Sequence, residues 1–322
     1  MRRMTRRQVL ATAAIAPLVA TRARAASYPD KPIRVIIPYT AGGVPESITR
    51  LLAVSVEQRL GQKLVIEAKP GAGGNLGTQE VARAAPDGYT LLVAATNNFV
   101  INQFVIQMTI DPLTALAPIA KLADIPLVLF SNPKVTARTL AEFMAYAKTN
   151  KTNYGVPGLG TVNHLLIERL KQTTGTDITL VPYRGSAPAA LALLQNDIQI
   201  FPIGIAAVGS NLSEGKVTAL AVATEKRVPM LPDVQTMSES GFSGFVASNW
   251  FGMAAPAGTP DDVLDILAGA VAEAQNTPLV KERFTQLGML VPELSRSQFA
   301  ASLKPEATQW RETVQRGHIS LE

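Results

Sequence analysis

The chain of 322 residues contains no cysteine and only two histidines, His164 and His318. Without cysteine there are no disulfides, no thiolate metal sites, no Cys nucleophile and no lipid attachment through an N-terminal Cys. With two histidines and no G-x-S-x-G stretch, the usual nucleophile–base pairs and His-rich metal sites have few candidates. Paired carboxylates are scarce as well. Glu46 stands alone beside a glycine turn, and Asp87 in Ala85-Pro86-Asp87-Gly88 reads as a turn former. No Gly-Lys-Ser/Thr occurs, and Gly71, Gly73 and Gly77 miss the G-x-G-x-x-G spacing, so neither nucleotide fingerprint is met. These absences leave no catalytic residue, no metal and no cofactor to expect.

A long apolar run is missing too. The stretch from Val9 to Ala20 has twelve residues, interrupted by Thr12 and Pro17, whereas a membrane-spanning helix needs about 20. With its basic start and the small-x-small pattern Ala23-Arg24-Ala25, the segment 1–25 reads as a signal peptide cleaved near Ala25. Thr5-Arg6-Arg7-Gln8-Val9-Leu10 resembles a twin-arginine export signal; a Sec signal with a basic start is the alternative. This segment holds six Arg and no acid, so the formal charge of +5 becomes −1 for the remaining 297 residues. A nucleic-acid partner loses its main support. The product is expected to be soluble outside the cytoplasm, and large enough for two domains.

What is present is alternation. Strand-like runs at 33–38, 64–69, 90–96, 125–131, 152–157, 178–183, 198–203 and 218–224 are separated by helical patterns. Such alternation predicts an α/β architecture with mainly parallel strands buried on both faces. Capping chemistry marks helix starts at Thr139 with Glu142, at Thr259-Pro260 with Asp262, and at Ser295 with Gln298. After Pro260 the apolar residues Val263, Leu264, Ile266, Leu267, Ala270, Val271 and Ala274 recur at helical spacing, as a core face does.

Three glycine turns follow strands and precede helices: 39–50, 69–77 and 155–164. Glycines let a ligand approach the backbone, and the free N–H groups of a helix start favour an anion. For the first turn the alternative is that Glu46 merely complements the helix dipole. Strand C-terminal ends are where open α/β sheets bind ligands, so the turns together imply a crevice.

Several collinear blocks carry a resemblance. They are Ile37-Pro38-Tyr39-Thr40-Ala41-Gly42-Gly43, Lys69-Pro70-Gly71-Ala72-Gly73-Gly74-Asn75, Ala85-Pro86-Asp87-Gly88-Tyr89-Thr90, Val181-Pro182-Tyr183-Arg184-Gly185-Ser186-Ala187-Pro188, Leu231-Pro232-Asp233-Val234, Trp250-Phe251-Gly252 and Ala255-Pro256-Ala257-Gly258-Thr259-Pro260. Together the chain resembles the substrate-binding proteins of tripartite tricarboxylate transporters, the TctC or Bug family of periplasmic receptors. The resemblance implies a two-lobed periplasmic-binding-protein fold (type II-like), with the ligand cleft between the lobes. Lobe 1 is expected at 26–125, lobe 2 at 126–247, and a return to lobe 1 at 248–322. It implies a monomer in the periplasm of a Gram-negative bacterium that captures a small carboxylate, a di- or tricarboxylate or an aromatic acid. The partners it implies are that ligand and the membrane permease subunits. A ligand-sensing receptor for a two-component system, and an exported α/β enzyme using Glu46 or His164, are the alternatives.

The ligand-binding residues implied by the resemblance lie first in the turn carrying Tyr39, Thr40, Ala41, Gly42, Gly43, Glu46 and Ser47, with Thr96 and Asn97 at a neighbouring strand end. The opposite lobe is expected to add Gly160, Thr161, His164, Ser186, Ala187 and Ile203. Two departures from the family pattern bear on the ligand. Glu46 replaces a common Asp and is one methylene longer, and Pro202-Ile203-Gly204-Ile205 lacks an acid that many relatives carry. Ile203, with Phe99, Phe201 and Trp250 as neighbours, would favour an aromatic or less polar acid; the alternative is that these side chains are core.

Overall fold

The computed structural model describes residues 28–321; the expected signal peptide and its cleavage position lie outside them. Strand and helix alternate as β1 (Ile33–Ile37), α1 (Val44–Leu60), β2 (Leu64–Ala68), α2 (Asn75–Ala82) and β3 (Thr90–Ala95). Three short helices follow, α3 (Thr96–Val100), α4 (Asn102–Val105) and α5 (Pro112–Ala115), then the strands β4 (Leu116–Pro126) and β5 (Val128–Ser131). Next come α6 (Leu140–Ala147), β6 (Asn153–Val156), α7 (Val162–Thr174), β7 (Thr179–Pro182), α8 (Ser186–Gln195), β8 (Ile200–Ile203) and β9 (Thr218–Val222). The last elements are β10 (Ser248–Pro256), α9 (Asp261–Gln275), α10 (Pro278–Gln286) and α11 (Arg296–Gly317). Among the described residues no helix is long and apolar enough to cross a membrane.

The strands form two five-stranded sheets, ordered β2-β1-β3-β10-β4 and β7-β6-β8-β5-β9. Each anchors one lobe. The chain leaves the first sheet after Pro126 and re-enters it at Ser248. The run at 125–131, which reads as one strand, is therefore divided between two sheets, with Leu127 at the break.

The expectation of mainly parallel strands needs correction. β1 is parallel to β2 and β3, and β6 to β7 and β8, but β10 is antiparallel to β3 and β4, and β5 to β8 and β9. Parallel neighbours need a crossover that returns the chain to its starting edge. β5 and β10 are entered from the other lobe without one, and both run against their neighbours.

Alternation of side chains explains why both faces of each sheet are covered. Ile33, Val35, Ile37, Leu91 and Val93 enter a core shared with α1 and α9, while Ile36, Leu92 and Ala94 enter the core on the opposite face. That second core continues through α11 and α7 into the other lobe, where it takes Leu129 and Ile200. Val128, Phe130, Phe201 and Ile203 point the other way, into a third cluster with α8. The α9 face is core as expected, except that Ile266 is 40% exposed.

Two helix starts follow the capping pattern. Thr139 accepts from the Glu142 N–H, and Ser295 with Gln298 forms a reciprocal capping box; each such cap is worth about 1 kcal/mol. Thr259 does not cap α9. Its hydroxyl donates to the Pro256 carbonyl instead, and Pro260 occupies the cap position.

Candidate functional site

A cavity of about 590 Å³ lies between the lobes, and all three glycine turns reach it. Tyr39 and Thr40 follow β1, Gly71, Gly73 and Gly74 precede α2, and Pro157, Leu159 and Thr161 join β6 to α7. Asn97 on α3, Asn102 on α4, Asn163 on α7, Ser186 at the first position of α8 and Asn249 on β10 add polar groups to its lining. The glycine loop ahead of α2 is shaped by close approach: a Cβ on Gly74, whose φ is +90°, would sit 2.5 Å from Asn98 Nδ2. Asn98 and Asn102 both donate to the Gly73 carbonyl, at 3.2 and 3.0 Å.

Among the described residues, no Lys, Arg, His, Asp or Glu lines this cavity. Attraction for an anion there must come from the backbone and neutral donors. The N-terminal ends of α2, α7 and α8 converge on it from two lobes; α8 has no side-chain cap, whereas Thr161 caps α7, and each helix presents the positive end of its dipole. Such an arrangement suits an anion held by neutral donors.

The first turn is divided in its roles. Tyr39 lines the cavity, but its hydroxyl donates to Asn98 Oδ1 and accepts from the Ala95 N–H, and burial raises its pKa. Thr40 is exposed to the cavity. Gly42, with φ of +83°, is the position that requires glycine; Gly43 has an ordinary extended backbone. Glu46 Oε2 accepts from the Gly42 N–H at 2.8 Å, and Oε1 accepts from Arg50 Nε at 2.8 Å. The Gly42 N–H and then Arg50 hold the Glu46 carboxyl below its ordinary range. Glu46 thus fills the anion position of its own turn. Gly42 and Ser47 border a different hollow, beside Arg283 and Phe284, and Ala41 and Gly43 line neither that hollow nor the interlobe cavity.

Of the pair Thr96 and Asn97, only Asn97 lines the cavity. Thr96 is fully buried: its hydroxyl donates to the Trp250 carbonyl at 3.1 Å and accepts from the Trp250 N–H at 2.8 Å. Asn97 Nδ2 donates across the cleft to the Gly160 carbonyl at 2.8 Å. Thr161 lines the cavity, yet its hydroxyl donates to Gly158 at 2.8 Å and accepts from the His164 N–H, as the α7 cap. His164 is 4% exposed and stacks on Tyr154. Its Nδ1 accepts from the Gly160 N–H at 3.1 Å, and burial lowers its pKa, so the neutral ring supports the turn without facing the cavity.

A second cavity, of about 330 Å³, adjoins the first through Asn163, Ser186 and Asn249. Ile203 lines this one, whereas Ala187 is exposed and lines neither. Phe99, Phe201 and Trp250, proposed as neighbours of Ile203 in the cleft, are core instead, each at most 2% exposed. Phe251 is the aromatic residue there. Sequence reasoning missed Asn249; Asn163, the amide at the end of the third glycine turn, lines both cavities and donates to the Pro202 carbonyl at 2.8 Å. An isolated amide at the head of the apolar run 250–256 is the signal that marks Asn249.

Comparison with known proteins agrees with this architecture. The profile of the tripartite tricarboxylate transporter family receptors, TctC, matches residues 48–318. Protein BugT of Bordetella pertussis is 34% identical over 316 residues, covering 94% of each chain. MatC from Rhodopseudomonas palustris, solved with bound malate, is 31% identical with a TM-score of 0.73, over 89% of this chain and 100% of that one. Another R. palustris protein, solved with adipate, is 29% identical with a TM-score of 0.76, over 91% and 100%. With the two-lobed fold, the interlobe cavity and a family profile over most of its length, the chain belongs to the tripartite tricarboxylate transporter family receptors, the TctC family.

Proposed function

We propose that this receptor captures a small carboxylate between its lobes and delivers it to the membrane subunits of a tripartite tricarboxylate transporter, without chemical change to the ligand. The observation that carries the reading is the convergence of helix N-termini from both lobes on a cavity with no charged side chain among the described residues of its lining. A site of this kind binds an anion by preorganised dipoles, and a ligand touching both lobes favours the closed state, which is what differential affinity requires. Malate in MatC and adipate in a second R. palustris relative support the ligand class. The reading includes export, removal of residues 1–25, action as a monomer in the periplasm and hinge closure at the crossings near 126 and 247.

The test is a thermal-shift screen of residues 26–322 against mono-, di- and tricarboxylates and uncharged analogues. A carboxylate at 100 times its dissociation constant adds about 2.7 kcal/mol. A shift confined to carboxylates supports the reading; a flat response from folded, ligand-free protein sinks it.

A further inference from the structure

The second interlobe cavity has a chemical character different from the first. Where the two meet stand Ser186 and Asn249, whose side chains make no hydrogen bond to another described residue. Beyond that junction the lining is apolar. Ile125, Phe251 and Met289 come from the first lobe, and Leu127 and Ile203 from the hinge and the second lobe, and no Lys, Arg, His, Asp or Glu lies among them. A carboxylate placed at the junction meets a hydroxyl, an amide and the first turn of α8. A second carboxylate pushed into the apolar annex would be stripped of water with no cation to compensate, and that desolvation is costly. A methyl end or an aryl ring in the same place gains from burial.

We propose that the annex selects a monocarboxylate with an apolar body, such as a medium-chain alkanoate or an arylalkanoate, over dicarboxylates of the same length. This inference rests on the carboxylate-receptor reading above and narrows it. The carboxylate sits at Ser186 and Asn249, and the apolar body extends between Ile203 and Phe251. Because both walls of the annex come from different lobes, the apolar body also helps to hold the lobes together.

Calorimetric titration of residues 26–322 with propionate, butyrate, hexanoate, 3-phenylpropionate, succinate and adipate tests it. Affinity is expected to rise roughly fourfold for each methylene buried from propionate to hexanoate, and hexanoate should bind at least tenfold more tightly than adipate, its analogue with a second carboxylate. Adipate binding as tightly as hexanoate overturns the inference while leaving the receptor reading intact; binding of none of the six overturns the inference, and the receptor reading then stands or falls by the wider carboxylate screen. A second measurement separates the annex from the junction. Ile203→Ala should cost hexanoate at least fivefold and propionate less than twofold, and equal losses for both acids would overturn the annex's role.

Discussion

Trp250 on β10 and Glu306 on α11 are joined through the indole N–H, which lies 3.1 and 3.2 Å from the two carboxylate oxygens. Trp310 donates to the same carboxylate at 3.3 Å. These are the chain's two tryptophans, so one acid is the meeting point of both. The link ties α11 to a strand in which the residue before Trp250, Asn249, lines both cavities. It fixes the strand that carries the cleft wall to the helix that spans both lobes.

A pH dependence follows. Burial raises the Glu306 pKa above its ordinary value of 4.5, although the two indole donors and Lys121 act in the opposite direction. In the window between 4.5 and the raised value, the folded state holds a proton that the unfolded state has released. Stability from this group is therefore complete below about pH 4.5 and is lost as pH rises through the folded pKa. Glu306→Gln removes that titration, so calorimetric melting from pH 4.5 to 8 should show the variant gaining on the wild type as pH rises. A difference in Tm that does not change with pH would refute the assignment.

Ligand capture should be visible through Trp250 alone. Its backbone is held by Thr96, next to Asn97 on the cavity wall, and its ring packs against Phe99 and Phe299 at 5.2 and 5.4 Å. Both tryptophans are buried outside the two linings, but only Trp250 is bonded to the residue beside Asn97, whereas Trp310 lies on α11. The ligand-induced change in tryptophan emission is expected to survive Trp310→Phe and to disappear in Trp250→Phe. Survival in Trp250→Phe would place the moving contact elsewhere.

How much of this was legible beforehand depends on distance along the chain. The Val- and Ile-rich strands and the glycine turns are local patterns, and the residues from those turns do meet at one cavity. β10 was not read as a strand because Gly252 and Pro256 dilute its pattern, and its antiparallel sense follows from a return path that no local spacing records. Polar residues at strand ends were visible, but not their partners. Thr96 is claimed by the Trp250 backbone, 154 residues away, and His164 by the Gly160 turn, so both are spent on holding the fold. Glu46 could be read as a ligand contact or as a dipole partner; only the contact to Gly42 N–H shows which group it meets.

Asn97 offers a test of closure. Its amide crosses the cleft to the Gly160 carbonyl, and one such bond is worth about 0.5–1.5 kcal/mol net. Asn97→Ala should weaken ligand binding about two- to tenfold and enlarge the radius of gyration of the ligand-free protein in X-ray scattering. If neither quantity moves, the bond does not help to set the lobe angle.

Gly204 tests the hinge side of the same closure. Its backbone, with φ of −66° and ψ of 149°, is one that alanine adopts freely, so the substitution carries no local strain. The added Cβ would instead lie 2.5 Å from Ile125 Cγ2, on the opposite lobe. That methyl is branched at Cβ and cannot swing away as a flexible side-chain end would. Overpacking of this kind costs about 1–3 kcal/mol, and here it can be relieved by opening the lobes. Gly204→Ala is therefore expected to lower ligand affinity at least fivefold with little change in the Tm of the ligand-free protein. Adding Ile125→Ala removes the opposing methyl and should recover most of the affinity, a non-additive result that marks the two residues as in contact. Simple addition of two losses would mean that the lobes do not close on each other through Gly204 and Ile125.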